Sequence, residues 1–502
     1  MNHQYQPVNL AEDLYLFSTL SYPTPSTSSW RRTSLYIYAF FITVFSVAMI
    51  AKNRDMYWNL EQAYKHQLDL REQELFDKFS TPNATDTLMT AVRHERDVLK
   101  ETIKDVIGPL LVQAHTDNAE DWAGKGQEIR LFGEAYRARR KLASVRAKSD
   151  IKLSVRDEAW GSLVADREAQ VIPWITGGKY KSLEALQASW TRPRGIVITS
   201  GVINYRWLLH LVAGLRRVHQ TTLPIEIIYA GEPDLPTAHR QALEALAPDV
   251  RCIDILDVFD ETIAGLPGKW AIKPFAMLAS SFKEAILLDA DAVMLQTPDL
   301  MFEEDGYKET GALYYHDRQL HFQQTAKTNW IKAKLEQAHA SQFVLDSKYV
   351  QGETSDEMES GAVVMDKDRA LIGLLAITWL NTQLVRDTVT YTKSYGEKES
   401  WWYGMAITDT KFAWAGGYAG GIGVRNPDDP SRICTTHIVH ILAKDHTPLW
   451  FNDALVHDKD DNDDQYEVCE AWSDEGYWDT DFWPNSCFVS STKGGATLIT
   501  QK

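Results

Sequence analysis

At 502 residues the chain is long enough for one large body with appended segments rather than a string of small domains. Its 52 Lys+Arg against 69 Asp+Glu leave a net charge of −17, which argues against a surface built to wrap nucleic acid. Aromatic residues make up 11% of the chain, with 17 Trp, a supply of flat faces on which sugar rings pack, although any single Trp more often serves the core.

In chain order, residues 1–34 read as a disordered cytosolic tail. They hold no Lys or Arg before Arg31, and Ser21-Tyr-Pro-Thr-Pro-Ser-Thr-Ser-Ser29 is rich in turn formers with little to bury. Residues 35–51, LYIYAFFITVFSVAMIA, carry no charge and are bracketed by Arg31 and Arg32 on one side and Lys52 and Arg54 on the other, the pattern of a short membrane helix. At about 1.5 Å per residue it falls slightly short of the roughly 30 Å hydrocarbon core, which suits a thin early-secretory bilayer with snorkelling basic flanks. A cleaved signal peptide is the rival reading, and the long preceding tail counts against it. Basic residues at both ends leave the orientation open. The sequon Asn83-Ala84-Thr85 and the bulk of the chain beyond the span favour a single-pass type II arrangement with a lumenal body.

Residues 52–150 are strongly charged and sparing in Gly and Pro, with apolar residues at helical spacing as in Trp58-Asn-Leu-Glu-Gln-Ala-Tyr64. They are expected to form a helical stem, its later part, near 107–114, packing onto the body. Residues 151–502 are expected to be one catalytic-sized domain. From Arg194 onward, short β-rich runs alternate with amphipathic helices, the mark of an α/β layer architecture. Strands are expected at 195–199, 225–230, 251–255 and 285–288, and helices at 204–219, 237–246 and 273–281. The four cysteines, Cys252, Cys434, Cys469 and Cys487, lack CxxC or zinc-like spacing, so a cysteine-based metal cluster is not expected. Two disulfides are allowed; Cys469 with Cys487 closes the shortest loop and is the first pairing to try, with free thiols as the alternative.

The segment Ile286-Leu-Leu-Asp-Ala-Asp-Ala-Val293 carries the chemistry. Asp-x-Asp alone is common. Here an apolar strand delivers Asp289 and Asp291 on one side of an extended backbone, while Ala290 and Ala292 leave room for a bulky diphosphate. A buried parallel strand ends there, where open α/β sheets bind ligands. Hard carboxylate oxygens suit Mn²⁺ or Mg²⁺ bridging two phosphates. Glu359 and Ser360 precede a further expected strand, Gly361-Ala-Val-Val-Met365, where a carboxylate is suited to sugar hydroxyls. Glu397, Lys398 and Glu399 form an acidic cluster before Trp401 and Trp402, whose rings are expected to stack on a sugar face.

The run Lys273-Pro-Phe-Ala-Met-Leu-Ala-Ser-Ser-Phe-Lys-Glu-Ala-Ile-Leu-Leu-Asp-Ala-Asp-Ala-Val293, followed by Pro298-Asp-Leu-Met-Phe302, resembles the core of the fungal α-1,3-mannosyltransferase family, glycosyltransferase family 71. Glu359-Ser-Gly-Ala-Val-Val-Met-Asp-Lys367 and Gly396-Glu-Lys-Glu-Ser-Trp-Trp402 resemble two further motifs of that family, with Glu397 where it usually has Asp. Coverage runs from about Arg194 to Asp453. The resemblance implies a GT-A-like domain with a central mixed sheet, a GDP-mannose donor, a divalent metal, and transfer of mannose to a mannose-bearing glycan in the Golgi. Assembly with itself or with other mannosyltransferases stays open. Lys273, Asp317, Glu397, Lys398, Trp401 and Trp402 would then contact substrate, with Asp317 in the acceptor-side stretch Tyr314-Tyr-His-Asp-Arg318.

Related retaining transferases end in a His...Lys-Pro-Trp segment, which His437-Ile-Val-His440 and Pro448-Leu-Trp450 resemble. By that analogy His440 is the third metal ligand, with His437 the lesser choice, and Lys444 or His446 lies near the phosphates. If donor and product are both α-linked the reaction retains configuration. Either a carboxylate attacks C1, or the acceptor hydroxyl enters on the face that the phosphate leaves, with Glu399 or Glu359 near C1. Two rival readings stand beside this one: a transferase using a UDP-sugar, and a membrane-anchored glycan-binding subunit without turnover.

Overall fold

The computed structural model describes residues 113–147, 164–320, 325–456, 465–479, 486–493 and 495–499. The chain divides into two units, Met1–Glu74 and Leu75–Lys502, and all described residues lie in the second. The tail at 1–34, the span at 35–51, the sequon and the early stem lie outside the described residues. Among the described residues no helix is long and apolar enough to cross a membrane.

Helix α1 (Trp122–Ala147) is followed by β1 (Arg192–Thr199), α2 (Tyr205–Ala213), β2 (Ile225–Tyr229), α3 (Thr237–Glu244), β3 (Val250–Asp254), α4 (Ile272–Ala279) and β4 (Phe282–Asp289). The alternation of strand and helix read from the sequence is present throughout this half. After β4 come β5 (Val293–Met294), β6 (Ala312–His316), β7 (Met358–Asp366), α5 (Leu371–Leu380), α6 (Ser400–Ile407) and β8 (Ala413–Ala415).

The central sheet has seven strands in the order β3-β2-β1-β4-β7-β6-β8. The pairs β2/β3, β1/β2 and β1/β4 are parallel, β4/β7 and β6/β7 antiparallel, and β6/β8 parallel, so the sheet is mixed as expected. Strands covered on both faces need continuous apolar runs rather than alternation. Ala285 to Leu288 meets that need, every residue fully buried. The chain lays down β2 and β3 on one side of β1 and returns to the other side for β4. This reversal opens a crevice at the C-terminal ends of β1 and β4. Thr199 lies opposite Asp289 at that edge.

A second, six-stranded sheet is built from β5, β9 (Gly420–Gly423), β11 (Ile438–Ile441), β12 (Pro448–Asn452), β13 (Ala471–Ser473) and β16 (Thr497–Leu498), in the order β16-β13-β9-β11-β12-β5. A three-stranded sheet holds β10 (Arg432–Cys434), β15 (Cys487–Ser490) and β14 (Gly476–Trp478). Because β5 follows Asp291 directly and pairs with β12, the Asp-x-Asp turn joins the central sheet to the second one.

Helix α1 falls inside the 52–150 stretch read as stem, yet Trp122, Ile129, Phe132 and Ala135 are fully buried. A Cβ on Gly126 would lie 2.2 Å from the Ile407 carbonyl oxygen, and one on Gly133 would lie 2.6 Å from the Ile372 side chain. Those close approaches seat α1 on α5 and α6, so the body begins before residue 122 and not at 151.

The disulfide joins Cys434 to Cys487, not Cys469 to Cys487, and Cys252 and Cys469 are free. The reason is register: β10 and β15 are antiparallel with Cys434 directly opposite Cys487, their Cα atoms 3.9 Å apart. Shortest-loop reasoning ignores such long-range pairing. Cys434→Ser is expected to lower the unfolding free energy by about 2–4 kcal/mol, given the 53-residue separation it no longer closes, as measured by chemical denaturation.

Candidate active site

The edge of the central sheet at the end of β4 gathers several of the sequence-read residues around one buried cation. Lys273, in the first turn of α4, is buried, and its Nζ lies 2.7 Å from Asp289 Oδ1, 2.8 Å from Asp289 Oδ2 and 2.8 Å from Glu397 Oε1. It also reaches Ser360 Oγ at 3.2 Å, and Ser360 Oγ–H donates to Glu397 Oε1 at 2.8 Å. Pro274 follows Lys273 without breaking the helix, because a first-turn N–H has no intrahelical partner to lose. Burial alone would lower the ammonium pKa, but the Asp289 and Glu397 carboxylates outweigh it and hold Lys273 charged.

Asp289 keeps 18% of its side chain exposed at the crevice. Burial pushes its carboxyl up to about 6. Lys273 opposes this rise, while the nearby charges of Asp291 and Glu397 add to it. Two acidic groups that repel one another at the mouth of a crevice, one of them already tied to an ammonium, form a site with room for further positive charge.

A second ion pair lies alongside. Lys398 Nζ is 2.6 Å from Asp317 Oδ2 and 3.6 Å from Asp356 Oδ1. Although burial opposes it, Lys398 and Arg318 hold the Asp317 carboxyl below its ordinary range. Glu359 behaves oppositely: burial, reinforced by the charge of Asp317, pushes it up to about 8. Its Oε1 accepts the Gly361 N–H at 2.6 Å and the Asn452 Nδ2–H at 3.1 Å. Neighbouring acids with pKa values pushed apart make one neutral donor and one anionic acceptor at pH 7. Gly361 is what permits this fit. A Cβ there would lie 2.9 Å from both Glu359 Oε1 and Cζ3 of the fully buried Trp450. Gly361→Ala is expected to destabilise the fold by about 1–3 kcal/mol, read as a lower thermal midpoint.

Glu399 is fully buried under the site rather than open to it. Its Oε1 accepts the Glu357 N–H at 3.0 Å and the Met358 N–H at 3.4 Å, and the Trp402 indole donates to Oε2. The carboxyl, pushed up to about 8 by burial, ties the start of β7 to α6.

Three sequence-based expectations require correction. Trp401 and Trp402 are no sugar platform: both are buried, Trp401 near Tyr314 and Trp402 against Tyr349 and Tyr403. Every residue of α6 is buried, so the helix has no solvent face on which to present a ring. Two exposed aromatics, Trp270 and Tyr395, instead stand together with ring centroids 4.9 Å apart, and Trp270 lines a cleft of about 580 Å³ with Lys269, Arg386 and Tyr391. Gly396, at φ 65°, lets the loop before Glu397 run against the Trp270 ring, which a Cβ would approach to 3.0 Å. Sequence reading missed this pair; the signal was its place, beside Lys273 in one case and Glu397 in the other.

Lys444 and His446 are exposed at the tip of the β11/β12 hairpin. Asn452 lies at the other end of that hairpin, beside the crevice, so neither residue is positioned for phosphates. His440 is buried with its ring stacked on Trp450, centroids 4.3 Å apart and planes at 19°, and edge-on to Tyr315. Burial lowers its pKa to about 3, so the imidazole is neutral, and Nε2 has no hydrogen-bond partner. Among the described residues, however, Asp289, Asp291 and His440 do not form a group of three with ligand atoms all within 4.8 Å of one another. The residues set beside Asp291 are Asn452 and Asp453. Phe451 pairs with Val293, and the Ala454 N–H donates to the Asp291 carbonyl at 2.8 Å.

A family model described as "Mannosyltransferase putative" matches residues 193–442, which contain Lys273, Asp289, Asp291, Asp317, Glu359, Glu397 and His440. "Putative alpha-1,3-mannosyltransferase MNN1" of Candida albicans is 26% identical over 312 residues, which is 52% of this chain and 38% of that protein. The alpha-1,3-mannosyltransferase MNN1 of Saccharomyces cerevisiae is 23% identical over 321 residues, 54% of this chain and 42% of its own. The chain thus spans less than half the length of either relative. The mannosyltransferase Ktr4p of S. cerevisiae, a solved structure, aligns at a TM-score of 0.32 and 12% identity over 45% of this chain and 69% of its own. Residues 193–442 thus match the mannosyltransferase family, and fungal alpha-1,3-mannosyltransferases are among the chain's relatives.

Proposed function

We propose that this chain is a GT-A-like enzyme that moves mannose from GDP-mannose to a mannose-bearing glycan, with α-1,3 linkage and retention of configuration, using Mn²⁺ or Mg²⁺ held by Asp289 and Asp291. The observation that carries this reading is the charge arrangement at the end of β4, where the buried Lys273 ammonium pairs with Asp289 while the nearby charge of Asp291 opposes its ionisation. The donor set fits the metal: both ligands are hard carboxylate oxygens, and burial of Asp289 beside Asp291 disfavours their joint ionisation unless a cation is present. Such an ion, when bound, neutralises charge on the diphosphate leaving group.

The chain's own side chains supply the rest. Lys273 fixes Asp289 in one orientation. Sugar hydroxyls require both donors and acceptors, and neutral Glu359 beside ionised Asp317 supplies one of each. Glu399 acts by positioning, since both its oxygens are bonded within the protein. The exposed Trp270 and Tyr395 rings, at the rim of the cleft, suit stacking against a nucleobase or pyranose. With donor and product both α-linked, the acceptor hydroxyl enters on the face that the phosphate leaves and gives its proton to that phosphate. No side chain is then required as a nucleophile.

In this reading the protein is a single-pass type II resident of the Golgi membrane, anchored by residues 35–51. The sequon and the Cys434–Cys487 bond support an oxidising lumen. The test is to incubate the purified full chain with labelled GDP-mannose or UDP-sugars and a panel of mannosides, with and without Mn²⁺. Mannose incorporation from GDP-mannose that requires Mn²⁺ is the expected result. Transfer only from a UDP-sugar, or from none of the donors, overturns it.

A further inference from the structure

Far along the second sheet, three side chains from two separate segments converge. His437 lies just before β11, and Glu467 and Cys469 just before β13. Their ligand atoms all lie within 4.8 Å of one another, and among the described residues no other such group of three His, Cys, Asp or Glu side chains occurs. His437 is fully buried. Its Nε2 lies 3.0 Å from the Val456 carbonyl oxygen, while its Nδ1 has no hydrogen-bond partner and faces Glu467 Oε1 at 3.8 Å. A carbonyl can only accept, so Nε2 carries a proton, and in the neutral imidazole the Nδ1 lone pair is directed at the cluster. That arrangement, with one ring nitrogen donating to a backbone carbonyl and the other free, is how metal-ligating histidines are oriented.

We propose that His437 Nδ1, Glu467 and Cys469 form a cation site for Zn²⁺, separate from Asp289 and Asp291. The donor set of one imidazole, one thiolate and one carboxylate suits zinc better than Mn²⁺ or Mg²⁺. Bonds of about 2.0–2.3 Å in tetrahedral geometry set ligand atoms roughly 3.3–3.7 Å apart, so the 3.8 Å between His437 and Glu467 closes with a shift of a few tenths of an ångström. Cys469 is available because the disulfide uses Cys434 and Cys487. The thiol proton leaves to water as the metal–sulfur bond forms, and thiolate with carboxylate then balances the charge of the ion. A water completes the fourth position.

The surroundings are built for this geometry. A Cβ at Gly423 would lie 2.8 Å from Glu467 Oε1 and 2.9 Å from Thr435 Oγ1, so the glycine leaves that carboxylate room where it stands. Ile422, Val439 and Phe451 form an apolar cluster against which Cys469 packs, which lowers the local dielectric and strengthens metal–ligand attraction. Cysteine spacing gave no sign of the site, because its other ligands are not cysteines and one of them lies on a different strand.

The consequence reaches the crevice. The segment that supplies the Val456 carbonyl begins with Asp453 and Ala454, and the Ala454 N–H holds the Asp291 carbonyl. An ion on His437 therefore stiffens the segment that backs Asp291.

The experiment uses the full chain, stripped with a chelator, dialysed and titrated with Co²⁺. A thiolate-to-cobalt charge-transfer band saturating at one ion per chain is expected. It should be abolished by Zn²⁺ and absent from Cys469→Ser, but retained in Asp291→Asn, since the Asp289–Asp291 site offers no sulfur. A second measurement needs no variant: Zn²⁺ should protect Cys469, but not Cys252, from alkylation scored by peptide mass spectrometry. Absence of the band in the wild-type chain, its persistence in Cys469→Ser, or equal alkylation of Cys469 with and without Zn²⁺ overturns the proposal. Mannosyl transfer is read separately, so the two readings fail independently.

Discussion

Asp291→Asn should reduce kcat/KM for mannosyl transfer by about 10³-fold or more while leaving the fold intact. A metal at a diphosphate stabilises developing charge by several kcal/mol, and about 1.4 kcal/mol corresponds to a factor of ten. Amide replacement removes half of the carboxylate pair without changing side-chain volume. Because Asp291 is only partly buried, the change in unfolding free energy should stay within about 1 kcal/mol. The same substitution removes a charge that raises the Asp289 carboxyl, so Asp289 ionises more readily in the variant. Lost activity could then not be assigned to a protonated Asp289. The measurement is initial-rate kinetics at saturating Mn²⁺, with a thermal melt on the same sample. Activity within tenfold of wild type would remove Asp291 from the machinery.

What the sequence made legible was local. Ala285-Ile-Leu-Leu288 could only be a strand covered on both faces, and an acidic pair at its end had to emerge at a sheet edge. Whatever depended on pairing between distant segments stayed hidden. Trp401 and Trp402 looked equally apt for a core or a sugar platform. Their fate was decided by α1 and α5, which cover α6. Cys434 met Cys487 through the β10/β15 register, which no spacing rule encodes. The hairpin of β11 and β12 likewise explains the histidines. His440 lies within β11 and His437 just before it, three residues apart along extended chain, so at most one of them could turn toward the central sheet. His440 does so against Tyr315, and His437 faces Glu467. The Ala454 N–H reaches the Asp291 carbonyl only because β12 pairs with the two-residue β5.

Lys273→Met should have the largest effect on stability among substitutions near the crevice. The ammonium is buried, and two carboxylates and a serine hydroxyl converge on it. Removing one partner of such a cluster leaves uncompensated charge in a low-dielectric site and typically destabilises by about 3–5 kcal/mol, more than the lost contacts alone. Methionine fills nearly the same volume, so the effect reports charge and not a cavity. The pH dependence supplies the check. Carboxylates left without their ammonium escape the penalty by taking up protons, which raises their folded pKa above the unfolded values of about 4. A folded state that binds more protons than the unfolded one loses stability as pH rises. The gap between variant and wild type should therefore be widest near pH 7 and narrow as pH falls toward 4. Chemical denaturation at pH 7 and pH 5 reads it directly. A gap under about 1 kcal/mol at pH 7, or one that widens on acidification, would mean that Lys273 is not the charge that holds Asp289 and Glu397 in place.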